Sequence, residues 1–259
     1  MKVVILAGGF GTRISEESKY RPKPMVELGS MPILLHIMKH YSAYGYNDFV
    51  ICAGYKQNTI KEYFAHYFLN RSDVTFDFSK GKNDIILHQT PSEPWKVTVA
   101  DTGLYTMTGG RIRRIRDYLE DEPFMLTYGD GVSNVDLRAL EAFHCQHGKM
   151  VTISVHSIGS RFGVLDVHDD GSVKDFREKA EDTSSNLVNI GYMVCQPELI
   201  DLIAGDEVML EGEPLKTVAQ MDQLVAYKHT GFWQCMDTTR DKELLEQLWR
   251  NGTAPWKVW

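Results

Sequence analysis

The 259-residue sequence predicts an α/β fold in which a mixed, mostly parallel sheet is flanked by helices. Residues 2–6 and 48–54 are short apolar runs rich in β-branched side chains, which is typical of strands buried on both faces. Segments with helical spacing separate such runs, and this alternation indicates parallel pairing with right-handed crossovers. With 43% hydrophobic residues and no linker or repeat, the chain is expected to form a single domain over residues 1–259.

The first half of the chain supplies two helices and an insertion. Residues 32–38 have helical spacing with a proline in the first turn. Residues 60–68 predict a second helix, in which Phe68 should be buried together with the apolar residues one and two turns before it. From 73 to 101 the pattern is polar and alternating, which predicts antiparallel strands inserted beside the main sheet.

The second half continues the alternation of strands and helices. His144 and His147 lie close together, but no second pair has zinc-ligand spacing, so surface histidines are expected there. The predicted elements are, in order, a basic helix over 111–118, a strand over 124–128, a helix over 136–147, a strand over 150–155, a hairpin of 161–167 with 172–179, strands over 187–194 and 231–236, and a helix over 239–250.

Composition excludes several classes of partner. The net charge of −7 argues against nucleic acid or an anionic membrane surface. No apolar run is long enough to span a bilayer, and the first residues lack the layout of a signal peptide. The four cysteines show no Cys-x-x-Cys pairing, which suits reduced thiols. A cytoplasmic protein without a membrane or nucleic-acid partner is therefore expected.

A glycine-rich turn follows the first strand at residues 6–13. Gly8, Gly9 and Gly11 would let backbone amides approach a phosphate, and Arg13 would add a forked cation. The spacing of these glycines fits neither the dinucleotide-binding pattern Gly-x-Gly-x-x-Gly nor the pattern of a P-loop. The alternative is a turn that needs glycine for steric reasons alone.

The run Arg21-Pro22-Lys23-Pro24-Met25 supports the interpretation that the glycine turn binds phosphate. Two prolines should hold the segment extended and rigid, and thereby present Lys23 to the glycine turn. The alternative is a stiff surface loop with a solvated lysine. We expect a polyphosphate-binding lysine because the glycine turn lies so close in sequence.

Two carboxylates follow predicted strands. Asp130 stands between glycines after the strand over 124–128, and Asp237 follows the strand near the end of the chain. Open α/β sheets bind ligands at the carboxyl ends of their strands, and carboxylates there supply oxygen ligands to Mg²⁺. A lone aspartate in a turn is more often an ordinary turn residue. A triphosphate nearby needs a hard cation, so the metal interpretation is favoured.

Arg111 differs from the other arginines of its predicted helix. It follows the pair Gly109-Gly110 at the predicted start of the helix, which is suited to bind an anion or a carbonyl group. We expect Arg111 to contact a nucleotide, whereas Arg113, Arg114 and Arg116 should form a solvated face.

These segments together resemble the sugar-phosphate nucleotidyltransferases, also called nucleoside-diphosphate-sugar pyrophosphorylases. Within this family the chain looks most like the glucose-1-phosphate cytidylyltransferases, and the likeness runs from end to end. The matching segments are residues 6–13, 22–25, 101–103, 107–111, 127–131, 161–163, 176 with 178–179, 231–234, 236–238 with 240–242, and 254–259.

The resemblance implies a Rossmann-like nucleotidyltransferase fold, with a nucleotide-binding half at about 1–135 and a sugar-phosphate-binding half at about 136–259. It also implies CTP and a sugar 1-phosphate as substrates, Mg²⁺ as cofactor, and a homo-oligomer. The implied roles are nucleotide binding for Leu6, Ala7, Gly8, Gly9, Gly11, Thr12, Arg13, Lys23, Thr108, Arg111 and Asp130; metal binding for Asp130 and Asp237; sugar-phosphate binding for Tyr128, Gly163, Glu178, Lys179 and Asn189; and catalysis for Arg13, Lys23, Asp130 and Lys179.

The sequence departs from the family pattern between Ala180 and Gly191. The subfamily continues Glu-Lys-Pro with a glycine-rich loop and then Asn-Gly-Gly, whereas this chain has Ala180 after Lys179 and Ile190 in place of the glycine. A branched side chain there is expected to narrow or reshape the sugar pocket. Three alternatives therefore stay open: another sugar phosphate, UTP or dTTP as the nucleotide, and a non-catalytic nucleotide-sugar sensor.

Overall fold

The computed structural model describes residues 1–11, 20–79, 81, 83–88, 93–157, 164–168, 171–177 and 187–259. The strands are β1 (Lys2–Ala7), β2 (Glu27–Leu28), β3 (Met31–Pro32), β4 (Asp48–Ala53), β5 (Asp73–Asp77), β6 (Asp84–His88), β7 (Lys96–Asp101), β8 (Phe124–Tyr128), β9 (Gly131–Ser133), β10 (Val151–Ser157), β11 (Val164–Val167), β12 (Val173–Arg177), β13 (Leu187–Cys195), β14 (Leu224–Lys228) and β15 (Trp233–Cys235). The helices are α1 (Ile33–Ala43), α2 (Gln57–Ala65), α3 (Thr108–Arg114), α4 (Leu137–His147), α5 (Glu213–Gln220) and α6 (Thr239–Arg250).

The main sheet is mixed and mostly parallel, as the sequence predicts. Among the described residues it has nine strands, with a path β12-β11-β13-β8-β1-β4-β7, with β10 paired to β13 and with β14 paired to β10. Strand β1 pairs in parallel with β4 and β8, and β4 pairs in parallel with β7. Strand β13 runs antiparallel to β8 and β10. Strands from both halves of the chain therefore lie in one sheet.

Alternation along the strands divides the hydrophobic core into two layers. In β1, Val3 and Ile5 face one cluster of buried residues, while Val4 and Leu6 face the other. Because both faces of the central strands are covered, they read as continuous apolar runs rather than alternating ones. Within the described part of the chain, no helix has the length and apolarity needed to cross a membrane.

The insertion forms a separate hairpin. Strands β5 and β6 pair antiparallel with each other and form a two-stranded sheet of their own, whereas β7 joins the main sheet in parallel. The prediction of antiparallel strands is confirmed, but they do not extend the main sheet.

Three local predictions are wrong. Phe68 is 43% exposed, because α2 ends at Ala65 and the helical spacing does not continue to residue 68. His144 is buried, since α4 turns that face toward β10, where its Nδ1 lies 2.8 Å from the Thr152 hydroxyl. Ile190 packs in the hydrophobic core. Strand alternation directs its side chain to the opposite face from residues 189 and 191, so it does not narrow a sugar pocket there.

Candidate active site

One cavity lies where β1 and β8 end. Its volume is about 590 Å³, and it brings together the glycine turn, the Pro22-Lys23-Pro24 run and the segment around Asp130. The carboxyl ends of parallel strands are the usual ligand-binding edge of an open α/β sheet. The lining residues are Leu6, Ala7, Gly8, Gly9, Phe10, Gly11, Lys23, Pro24, Leu104, Tyr105, Thr106, Met107, Thr108, Arg111, Tyr128, Gly129, Asp130 and Asp237.

Lys23 bridges the two predicted metal ligands. Its Nζ atom lies 2.6 Å from Asp130 Oδ2 and 2.5 Å from Asp237 Oδ1. Lys23 is only 8% exposed, and the carboxylate side chains are 32% and 18% exposed. Three residues far apart in the sequence therefore form one compact cluster of charges at the cavity wall.

Local pairing explains why the two carboxylates meet. Strand β9 begins directly after Asp130, β15 ends two residues before Asp237, and the two strands pair antiparallel. The Met236 amide donates to the Asp130 carbonyl oxygen at 2.8 Å, which fixes the two segments side by side. Asp237 also precedes Thr238, the N-cap of α6, which forms a capping box with Asp241. Asp237 is thus held between a strand end and a capped helix.

Lys23 stands on a tight turn rather than on an extended segment. Residues Lys23–Met25 form a 3₁₀ turn after an extended Pro22, and the Val26 amide donates to the Lys23 carbonyl oxygen at 3.0 Å. The expectation of a rigid segment agrees with the two prolines, but a fully extended one is wrong. The turn is compact because backbone amide and carbonyl groups of residues 22–26 hydrogen-bond with one another.

The electrostatics of the cluster suit a cation. Burial acts to lower the pKa of Lys23, but the charges of Asp130 and Asp237 and their hydrogen bonds outweigh it, so the pKa of Lys23 is raised. Two carboxylates that converge on one ammonium group are a hard-oxygen donor set, and Mg²⁺ binds proteins through one or two carboxylates plus substrate phosphates. No group of three or more ligating side chains occurs among the described residues. The donor set fits a magnesium ion that is completed by phosphate oxygens.

The glycine turn is fixed from behind by Arg111. Its guanidinium group donates to the carbonyl oxygens of Gly8 at 3.0 Å, Gly103 at 2.7 Å and Ala53 at 3.3 Å. Arg111 is 4% exposed, and a Cβ added at Gly8 would lie 2.2 Å from the guanidinium group. Arg111 therefore ties the ends of β1, β4 and β7 together. A nucleotide contact for Arg111 stays a prediction.

The Gly109-Gly110 pair permits close packing of a loop. A Cβ at Gly110 would lie 2.5 Å from the Asp206 backbone, and one at Gly109 would lie 2.8 Å from the Val208 carbonyl oxygen. The Gly110 amide donates to that same oxygen at 3.2 Å. Helix α3 begins at Thr108, and the two glycines at its start pack against a loop of the protein rather than against an anion.

The apolar mouth of the cavity was not predicted from the sequence. Phe10, Leu104, Tyr105 and Met107 are large, line the cavity and are 41%, 42%, 79% and 46% exposed. The ring centroids of Phe10 and Tyr105 are 6.0 Å apart. An apolar run in a loop between two elements could have indicated this surface, which offers a flat face to a nucleobase.

Glu211 was likewise not predicted from the sequence. Its carboxylate accepts hydrogen bonds from the Thr108 hydroxyl, at 2.6 Å, and from the Tyr128 hydroxyl. Glu211 lies in an irregular segment before α5, where no periodicity or motif marks it. Thr108 and Tyr128 both line the cavity, so Glu211 connects two predicted site residues from behind.

Some predicted site residues lie elsewhere. Asn189 does not line the cavity, and its side-chain oxygen accepts from the Gly191 amide at 2.8 Å. A Cβ at Gly191 would lie 2.3 Å from the Tyr128 ring, so this segment is nonetheless adjacent to the site. The predicted residues Thr12, Arg13, Gly163, Glu178 and Lys179 lie outside the described residues.

Comparison with known proteins shows which family the chain matches. The family model described as nucleotidyl transferase matches residues 2–246. The chain is 52% identical to the glucose-1-phosphate cytidylyltransferase of Salmonella typhimurium, and the match covers all of both chains. It is 42% identical to the probable glucose-1-phosphate cytidylyltransferase of Bacillus subtilis, again over all of both chains.

Solved structures share the fold at low identity. A UDP-glucose pyrophosphorylase complexed with UDP-glucose matches with a TM-score of 0.78 at 17% identity, over 97% of this chain and 98% of that one. HddC from Yersinia pseudotuberculosis matches with a TM-score of 0.74 at 22% identity, over 96% of this chain and 99% of that one.

Proposed function

This chain belongs to the nucleotidyl transferase family, among the glucose-1-phosphate cytidylyltransferases, and we propose that it condenses CTP with α-D-glucose 1-phosphate to give CDP-glucose and pyrophosphate. The observation that supports this most directly is the cluster of Lys23, Asp130 and Asp237 at the end of a cavity that also contains the glycine turn. Charged groups of both signs at that place suit a metal-bound triphosphate.

The reaction needs alignment and charge neutralisation rather than a strong base. An oxygen of the sugar phosphate attacks the α-phosphorus of CTP in line, a new P–O bond forms, and the bond to the pyrophosphate oxygen breaks. The attacking group is already an anion at neutral pH, so no proton must be removed. Mg²⁺ held by Asp130 and Asp237 would neutralise phosphate charge, and Lys23 would offset charge on the departing pyrophosphate.

The predicted roles of the other residues are part of this proposal. The glycine turn would hold the nucleotide phosphates through its amides, and the exposed rings at the cavity mouth would cover the base. The remaining assignments are Thr12 and Arg13 to the phosphates, Thr108 and Arg111 to the cytidine side, and Tyr128, Gly163, Glu178, Lys179 and Asn189 to the sugar phosphate.

We also propose that the chain forms a homo-oligomer. The support is the β5–β6 hairpin, which stands apart from the main sheet and exposes Phe76, Phe78 and Ile85 at 52%, 69% and 55%. A two-stranded hairpin is marginally stable by itself, so packing against a second copy would stabilise it. The four cysteines are free thiols, which supports a reducing compartment such as the cytoplasm.

A pyrophosphate-release assay tests the proposal. CTP, UTP and dTTP are each combined with Mg²⁺ and a panel of sugar 1-phosphates, and we expect release with CTP and glucose 1-phosphate. Release with UTP or dTTP alone would contradict the cytidine assignment, and release with a different sugar alone would contradict glucose. No release with any pair, together with tight binding of CDP-glucose, would favour the sensor.

A variant tests the site within the same assay. Lys23→Ala removes a preorganised cation, and such contacts are worth on the order of 100-fold or more in turnover. Turnover near the wild-type rate in this variant would refute the role of Lys23.

A further inference from the structure

A buried carboxylate stands behind one wall of the cavity. Glu211 is 7% exposed, and each of its oxygens accepts from a different hydroxyl group, that of Thr108 and that of Tyr128. Among the described residues, no lysine or arginine forms an ion pair with it. A buried charge is costly unless hydrogen bonds satisfy it, so these two hydroxyl protons are committed to Glu211.

This commitment fixes the polarity of the two hydroxyl groups. A hydroxyl has a single proton to donate, and here that proton points to Glu211. The Thr108 hydroxyl oxygen also accepts from the Leu210 amide at 2.9 Å, so its own proton is donated to Glu211. Towards any further partner, Tyr128 and Thr108 act only as hydrogen-bond acceptors.

Tyr128 lies where its hydroxyl oxygen can accept a hydrogen bond from a bound substrate. Tyr128 ends β8 two residues before Asp130, and its ring packs at Gly191. Phosphate oxygens are acceptors and gain nothing from an acceptor wall, whereas a sugar hydroxyl has a proton to donate. The group that matches the phosphates is instead the Lys23 ammonium group, which contacts Asp130.

We propose that Glu211 is a positioning residue that orients the Tyr128 hydroxyl as an acceptor for a hydroxyl group of the sugar 1-phosphate. Glu211 touches no substrate itself and acts through Tyr128 and, on the same carboxylate, through Thr108. This inference rests on the proposed function and adds to it the reason why the sugar ring, rather than its phosphate, lies against this wall.

Glu211→Gln tests the inference because it preserves volume while replacing one acceptor oxygen by an NH₂ donor. The Thr108 hydroxyl already accepts from the Leu210 amide, so the side-chain NH₂ of the new glutamine is best placed toward Tyr128. There the NH₂ group donates to the Tyr128 hydroxyl, whose own proton then points away from residue 211. Glu213→Gln is the matched control, because it makes the same change on an exposed carboxylate two residues away. The readout is kcat/KM with CTP and each monodeoxy analogue of glucose 1-phosphate, relative to the parent sugar.

Wild type and Glu213→Gln should lose about tenfold in kcat/KM with the one analogue that lacks the donating hydroxyl. In Tyr128→Phe this penalty should fall to near onefold, because no hydroxyl remains to accept. In Glu211→Gln it should fall by a smaller factor, because the sugar hydroxyl can still accept from the reversed Tyr128 hydroxyl. In both variants the loss with the parent sugar should lie mainly in KM. An unchanged penalty in Glu211→Gln overturns the proposal, and if that variant does not fold, an unchanged penalty in Tyr128→Phe does so.

The proposed function and this inference can fail separately. Absence of pyrophosphate release by wild type with the parent sugar counts against the function. Calorimetric binding of CDP-glucose needs no turnover, and there Glu211→Gln should bind about tenfold more weakly than Glu213→Gln. Equal affinities of the two variants count against Glu211 alone.

Discussion

Replacing Lys23 by methionine should make the protein depend on a divalent cation for stability. In the wild type the Lys23 ammonium group lies within 2.6 Å of both carboxylates. Lys23→Met keeps much of the packing volume but leaves Asp130 and Asp237 facing each other without the Lys23 ammonium group. The free energy of unfolding should therefore fall, and a cation that replaces the ammonium group should restore it.

The magnitude follows from the geometry. Two oxygens that each lie about 2.5 Å from one nitrogen are at most about 5 Å apart, and at an effective dielectric constant of about 20 two unit charges repel there by about 3 kcal/mol. We expect Lys23→Met to lose about 3 kcal/mol, in line with the cost of breaking a buried ion pair. Saturating Mg²⁺ should recover most of this loss, since a ligand that binds only the folded state stabilises it.

Urea denaturation with and without Mg²⁺ measures both quantities. Lys39→Met is the matched control, because Lys39 pairs with the single carboxylate of Glu93 away from the cavity. That variant should lose stability without gaining any dependence on Mg²⁺. If Mg²⁺ stabilises Lys23→Met no more than wild type, the two carboxylates do not form a shared cation site and the reasoning is refuted.

Three further predictions follow from buried groups. Gly191→Ala should destabilise the fold by ~1–3 kcal/mol or more and weaken sugar-phosphate binding, because φ is +82° and the new Cβ would lie 2.3 Å from the Tyr128 ring. Arg111→Ala should cost on the order of 3 kcal/mol in urea denaturation, since carbonyl groups at three strand ends lose their donor. Burial lowers the pKa of His36 and of His40 from 6.5 to about 4, so protonation favours the unfolded chain. The stability that these histidines contribute is present above pH 6.5 and is lost as the pH falls toward 4, by about 2 kcal/mol each at pH 5.

Measurements of the free energy of unfolding can contradict each of these three predictions. A Gly191→Ala protein with wild-type stability would show that the Tyr128 ring is free to move. Arg111→Ala should be compared with Arg113→Ala, which changes an exposed side chain, and equal stability of the two would contradict the clamp on the strand ends. A free energy of unfolding that does not fall between pH 7 and pH 5 would contradict the burial of neutral His36 and His40.

Sequence patterns predict the fold well because they report buried strands directly. The apolar runs at β1, β4 and β8 are continuous since both of their faces are covered, and that pattern is visible without a structure. The sequence also predicts that Lys23, Asp130 and Asp237 approach one another, because strand ends and a proline-bounded turn carry them. Their distances depend on the β9–β15 pairing, which joins segments about a hundred residues apart in the chain.

The remaining features depend on tertiary contacts that no local pattern encodes. Glu211 stands in an irregular loop, and only the folded chain shows that its carboxylate meets Tyr128. Gly109-Gly110 resembles an anion site in sequence, yet its partner is the backbone of Asp206 and Val208. Ile190 was expected near the sugar, but it lies in the hydrophobic core, because strand alternation rather than residue type decides which face its side chain occupies.

The most direct test of the site is the position of a bound metal ion. Crystals grown with Mn²⁺ and a non-hydrolysable CTP analogue would locate the ion by its anomalous scattering. We expect a peak bonded to one oxygen each of Asp130 and Asp237, with the Lys23 ammonium group moved onto a phosphate oxygen. A peak elsewhere, with Lys23 still bridging the two carboxylates, would contradict this expectation.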